Sequence, residues 1–171
     1  NHMLKFGSGY LEINNEVGRY IQAAGHEKRA VAILDDLEAN ALYLSDGQTD
    51  ILLVSCDVAA LEDEFVVRCR KSMAERSGLN ERDIIITCSH THGGPCLIPT
   101  NRRMPVDTEY MDRLCDRLTD LAGQVVERAS QCTIAVGQGS AAIGFNRRCC
   151  WSDGTHTMHG DTTRSDFTGL E

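Results

Sequence analysis

Two short, almost wholly apolar runs joined by one amphipathic segment constrain this chain more than any other feature. Ile51-Leu-Leu-Val-Ser-Cys56 and Asp83-Ile-Ile-Ile-Thr-Cys88 are rich in branched residues and short for helices, so both read as buried strands. Between them, Glu62 to Ser77 places Phe65, Val66, Cys69 and Met73 at helical spacing. Gly78 then stands where a left-handed residue ends a helix. Strand, helix and strand at this separation predict a right-handed crossover between parallel neighbours.

The flanking segments extend that unit. Glu38 to Leu44 and Ile51 to Cys56 surround Ser45-Asp-Gly-Gln48, which predicts a β-hairpin. The continuous apolarity of Ile51 to Cys56 predicts a central strand covered on both faces. Phe6 to Ile13 reads as a further strand. Asp107 or Thr108 caps a helix running to about Ala129, with Met111, Leu114, Cys115, Leu118, Leu121 and Val125 on one stripe. Thr133 to Gly137 reads as a third buried strand and Ala141 to Phe145 as another short one. The fold class is α/β: a mixed β-sheet with crossover helices, a βαβ unit and an N-terminal β-hairpin. Residues 1–3 read as a cloning remnant before a native start at Met3, residues 4–148 as the main α/β region, and residues 149–171 as a polar loop or an incomplete continuation.

Charge narrows the partners. Lys plus Arg is 17 and Asp plus Glu is 25, so 17 − 25 leaves −8. That balance disfavours nucleic acid, whose phosphates demand clustered cations. No run approaches the roughly 18 apolar residues of a membrane span. No secretory leader follows Met3, so a cytoplasmic location is expected. The eight cysteines form no C-x-x-C pair and mostly sit in apolar runs, as reduced core thiols do. Cys149 and Cys150 are adjacent, and such pairs rarely bridge each other.

The sharpest chemical feature is Thr87-Cys-Ser-His-Thr-His-Gly-Gly-Pro95, where two histidines follow directly on a buried strand. Ligands of α/β sheets bind at the carboxyl ends of strands. On an extended backbone His90 and His92 face the same side. They can share a ligand, or one can bind metal while the other meets substrate; the plain alternative is two surface histidines. Gly144-Phe-Asn-Arg-Arg148 offers an amide and two guanidinium forks for an anionic or carbonyl oxygen. His156, His159 and Asp161 are further candidate metal ligands in a polar loop. Asp57 ends the strand of Cys56, where it can orient a histidine. No phosphate-loop, dinucleotide or nucleophile-elbow motif is present.

This ordered set resembles the neutral/alkaline ceramidase family. Asp36-Leu-Glu-Ala-Asn-Ala-Leu-Tyr-Leu-Ser-Asp-Gly47 is similar to an early family segment, and Val54-Ser-Cys-Asp57 to its strand ending in Ser-x-Asp. Ser89-His-Thr-His-Gly-Gly-Pro95 resembles its H-T-H-S-G-P signature, with Gly-Gly where the family usually has Ser-Gly. Asn146-Arg147 resembles a later Asn-Arg element. The resemblance implies a zinc-dependent hydrolase of an N-acyl (amide) bond, acting on an N-acyl lipid or another small amide. It implies His90 as a zinc ligand, and His92 and Arg147 as catalytic groups that contact the amide and stabilise its oxyanion. The family's remaining ligands, a His, a Glu and a Tyr, lie downstream of the Asn-Arg element. The expectation is therefore an N-terminal part of the catalytic domain, holding one of several zinc ligands.

Two alternatives stand beside it. An amidohydrolase on a β/α barrel also uses H-x-H, but that fold needs about 200 residues or more. A non-enzymatic homo-oligomeric binding module of the same fold would bury an open sheet edge between copies.

Overall fold

Burial alternates along Lys5–Glu12, the first strand, β1, as it does in a sheet with one covered face. Tyr20–Ile21 (β2) and Lys28–Arg29 (β3) then pair as a short antiparallel ribbon. Glu38–Ser45 (β4) and Asp50–Cys56 (β5) form the expected hairpin, closed by Ser45 opposite Asp50. Its turn is held by the Asp46 carboxylate, which accepts from the backbone N–H of Gln48 at 2.9 Å and of Thr49 at 2.7 Å. Asp63–Ser77 (α1) ends at Gly78, whose φ of 77° is the predicted left-handed cap. Ile84–Cys88 (β6) returns parallel to β5, so the crossover is present as read. Thr108–Glu127 (α2) begins under the Asp107 side chain, which accepts from Tyr110 N–H at 3.1 Å. Ser130–Gln131 (β7) closes the five-stranded order β6-β5-β4-β1-β7.

This computed structural model describes residues 3–22, 27–99, 104–144, 146–158 and 160–171, in two compact units, Asn1–Thr133 and Ile134–Glu171. In the first unit both helices pack on the same side of the sheet and against each other. The core between them is built from Leu52, Val54, Phe65, Met73, Leu114 and Leu118. At Gly7 a Cβ would lie 1.9 Å from the Val125 carbonyl oxygen, so β1 and the end of α2 meet backbone to backbone.

The other side of the sheet is partly exposed among the described residues, and this corrects the expectation that Ile51 to Cys56 is buried on both faces. Ile51 and Leu53 are 44% and 37% exposed, and Ile85 of β6 is also exposed. Ser8, Leu42, Leu53 and Ile85 form one cross-strand row on that face, and Phe6, Leu44 and Ile51 another. Apolar runs alone do not distinguish a strand between two layers from one whose second face is bare.

Thr133 to Gly137 is not a strand either: Val136 is 95% exposed and the segment makes no ladder. Register supplies the reason. Gln131 lies opposite Lys5 and Cys132 N–H donates to Leu4 O at 2.9 Å, so the following residues run past the start of β1. Ala141 to Gly144 is likewise irregular, and Phe145 lies outside the described residues.

The second unit carries a three-stranded antiparallel sheet. Cys149–Trp151 (β8) is central, flanked by His156–Thr157 (β9) and Phe167–Leu170 (β10). Trp151 anchors it, with its indole N–H donating to Thr157 Oγ1 at 3.0 Å and its ring edge-on to Phe167. The Arg164 guanidinium lies 4.6 Å over the same ring and pairs with Asp166 at 2.6 Å.

Candidate metal centre

The parallel pairing of β5 and β6 sets Cys56 beside Cys88, so Asp57 and Ser89 leave the sheet together at its carboxyl end. There the chain of Val58 and Ala59 grips the histidine loop. Ser89 N–H donates to Cys56 O at 3.0 Å, and His90 N–H to Val58 O at 3.1 Å. The His90 ring adds a third contact, Nδ1 to the Ala59 carbonyl oxygen at 2.7 Å. A carbonyl only accepts, so Nδ1 carries a proton, and in the neutral ring the lone pair is then on Nε2. That is the tautomer and the second-sphere contact of a histidine that ligates metal through Nε2.

His90 also holds φ at 64°, the only positive value for a non-glycine among the described residues. Such a conformation costs on the order of 1 kcal/mol and persists where surrounding contacts over-determine it, most often at functional sites. The loop is therefore not extended as the i, i+2 reading supposed. His90 and His92 nonetheless meet, with ring centroids 4.9 Å apart and edge-on.

The Gly-Gly-Pro segment after them is wedged in place. Gln22 N–H donates to Gly94 O at 2.8 Å, and Ile21 bridges Pro95. A Cβ on Gly94 would stand 3.3 Å from Asp57 O, so this position suits a residue without a side chain. Asp57 itself does not orient a histidine. Its carboxylate accepts from Glu38 N–H at 3.1 Å and its own N–H donates to Glu38 O at 2.8 Å, which ties β5 to the start of β4. The orienting group is the Ala59 carbonyl, and no residue pattern in the sequence marks a main-chain oxygen for that task.

The remaining candidates lie in the second unit. Arg147 is exposed, and its guanidinium has no hydrogen bond or ion pair among the described residues. Asn146 Oδ1 accepts from Arg148 N–H at 3.0 Å, and Arg148 pairs with Glu171 at 2.6 Å. His156 is exposed in β9, and Asp161 is engaged by Thr163 N–H at 2.9 Å. His159 lies outside the described residues. Cys149 and Cys150 are free thiols, as are the other six cysteines. Among the described residues no three His, Cys, Asp or Glu side chains gather closely enough to hold a metal ion. A catalytic zinc takes three protein ligands. The chain thus presents one candidate ligand, His90, with a second imidazole at its side.

The fold of the chain is ceramidase-like. The particular resemblances are to a neutral ceramidase from Pseudomonas aeruginosa (TM-score 0.67, 13% identity, 77% of this chain and 22% of that one) and to a ceramidase complexed with C2 (TM-score 0.57, 14% identity, 77% and 22%). The chain spans 22% of the length of these structures. No protein-family model and no curated protein matches the sequence.

Proposed function

We propose that this chain is the histidine-bearing N-terminal portion of a ceramidase-like, zinc-dependent hydrolase of an N-acyl bond. The observation that carries the reading is His90: left-handed, clamped by Val58 and Ala59, and left with Nε2 as a free donor atom at the carboxyl end of a parallel strand. His90 would hold the ion through that atom. His92 would hydrogen-bond the substrate amide beside it, and Arg147 would bring guanidinium donors to the carbonyl oxygen. A zinc ion bound there supplies Lewis-acid activation of water near neutral pH. The other ligands would come from further chain, in keeping with the 22% coverage of the solved ceramidases. The substrate would be an N-acyl lipid or another small amide, and the protein would act in the cytoplasm.

The experiment is zinc titration of this chain, of His90→Ala, and of a version extended to the length of the solved ceramidases. Zinc binding and amidase activity in the long form alone, both lost with His90→Ala, support the proposal. An extended protein that binds no zinc sinks it.

The partly exposed sheet face favours a second reading, a non-enzymatic homo-oligomeric binding module. Phe6, Tyr10, Ile51, Leu53 and Ile85 are exposed there, and Tyr10 is 65% accessible. Sedimentation analysis separates the readings: a stable dimer without zinc or activity supports the module.

A further inference from the structure

The two helices are held in register along a charged edge. Arg68 of α1 pairs with Asp112 of α2 at 2.7 Å, and Arg76, two turns on, pairs with Glu127 at 2.6 Å. Both sets of partners advance together, so α1 and α2 run side by side in the same direction. Beneath the first pair the buried stripes of the helices meet. Cys69 follows Arg68 and is buried with Phe65 and Met73, and Cys115 lies one turn beyond Asp112, buried with Met111 and Leu118. The two thiols are hydrogen-bond partners. Two small apolar residues would fill this contact equally well, but two thiols in contact can also bond covalently.

The direction of approach sets this pair apart from the other close thiols. Cys56 and Cys88 stand side by side in the parallel register of β5 and β6, with side chains leaving the same sheet face. Cys69 and Cys115 come from opposing helix surfaces and meet head-on, the approach a disulfide needs. Arg68 adds an electrostatic element. Burial and Cys115 raise the Cys69 thiol, and the Arg68 guanidinium opposes them in favour of the thiolate.

We propose that Cys69 and Cys115 are a redox pair, a dithiol in a reducing medium and a disulfide bridge from α1 to α2 in an oxidising one. The oxidant is a small disulfide of the glutathione type. One cysteine thiolate attacks it, forming a mixed disulfide and releasing one glutathione thiolate. The second cysteine thiolate attacks the cysteine sulfur of that mixed disulfide, forming the Cys69–Cys115 bond and expelling the second glutathione. The two protons shed by the cysteines go to the two glutathione thiolates, so two cysteines are oxidised and one glutathione disulfide is reduced. The bridge closes a segment of 46 positions that contains β6 and both histidines of the candidate site. Such a crosslink constrains the unfolded chain and raises stability. Neither zinc nor amide hydrolysis enters this chemistry.

The test incubates the native full chain in a mixture of oxidised and reduced glutathione, warmed below its melting midpoint so that transient unfolding exposes the helices. Free thiols are then alkylated and the protein is cleaved after glutamate. That places Cys69 in peptide 65–75 and Cys115 in peptide 110–127, with no other cysteine in either. The linked pair of peptides should be the dominant intramolecular disulfide, and dithiothreitol should release it. The bridged chain should melt about 5–15 °C above the reduced chain. Cys115→Ala should lose both the bridge and the oxidant-dependent rise; the wild-type readouts stand without it. Cys69 and Cys115 recovered as free, alkylated thiols, or a dominant Cys56–Cys88 bridge, overturns the assignment. So does a Cys69–Cys115 bridge that leaves the midpoint unchanged or lowers it, because the contact would then have to distort in order to bond.

Discussion

The imidazole Nδ1 of His90 stands 2.7 Å from the carbonyl oxygen of Ala59, a residue thirty-one positions earlier in the chain. The contact joins the ends of two parallel strands and fixes the tautomer of the ring. It also explains how a histidine is kept at a φ of 64°, since ring and backbone N–H are both bound by the same short loop.

That strain predicts an ordering of variants. His90→Ala and His90→Gly both remove the ligand, so both should lose any zinc the wild-type chain binds. They should differ in stability, because glycine adopts the left-handed region freely and alanine does not. His90→Gly is expected to be more stable than His90→Ala by about 1 kcal/mol. Urea denaturation of the two proteins measures the difference, and equal midpoints would show that the backbone at this position is unstrained.

The contact between Gly7 and Val125 predicts a second contrast. Gly7→Ala drives a methyl group into the carbonyl of α2, which neither strand nor helix can relieve cheaply. The expected loss is about 2–3 kcal/mol. Gly123→Ala also meets atoms, at 2.5 Å, but they belong to the Arg76 guanidinium, the far end of a flexible side chain. There the helix gains from alanine by up to about 1 kcal/mol, so the net change should be small. Thermal unfolding of both variants checks the pair.

The features read correctly from the sequence were those with local causes. The turn at Asp46, the cap at Gly78 and the stripe of α2 each follow from a few neighbouring residues. The errors share a different cause. Whether Leu53 is covered and whether Thr133 to Gly137 finds a partner depend on elements distant in sequence, which an apolar run does not specify. At the candidate site the histidines were legible as a motif. Their clamp was not, because the Val58 and Ala59 carbonyls belong to the main chain and any residue type supplies them.

The thiols give a third prediction. Burial, then the neighbouring Cys88, pushes the Cys56 thiol up to about 12 from an ordinary 9.0. Below pH 9 that leaves about a thousandfold less thiolate, the reactive form. Cys69 is raised too, mainly by burial and also by its hydrogen-bond partner Cys115. Native protein treated with a disulfide reagent at pH 8 should label the half-exposed Cys132 and Cys150 first. Cys56, Cys69 and Cys115 should react only on unfolding. Rapid modification of Cys56 in the folded chain, read by peptide mass, would contradict the packing of β5 against the helices.

Acid should loosen the second unit in a way one chromophore reports. Thr155 binds Asp153 through hydroxyl and N–H, Thr163 binds Asp161 likewise, and Arg164 pairs with Asp166. Each contact favours the ionised carboxylate and holds its pKa below the ordinary aspartate value of 3.8. The unfolded segment therefore takes up protons before the folded one as pH falls. The stabilisation is complete well above 3.8 and is lost below it, as the folded carboxylates titrate. Trp151 is the only tryptophan and is 7% exposed, so its emission follows this unit alone. A red shift on acidification through that window is expected. Asp161→Asn weakens one of the three carboxylate contacts and should move the midpoint to higher pH in proportion to the stability lost. An emission spectrum unchanged down to pH 2 would mean that these carboxylates do not hold β8–β10 together.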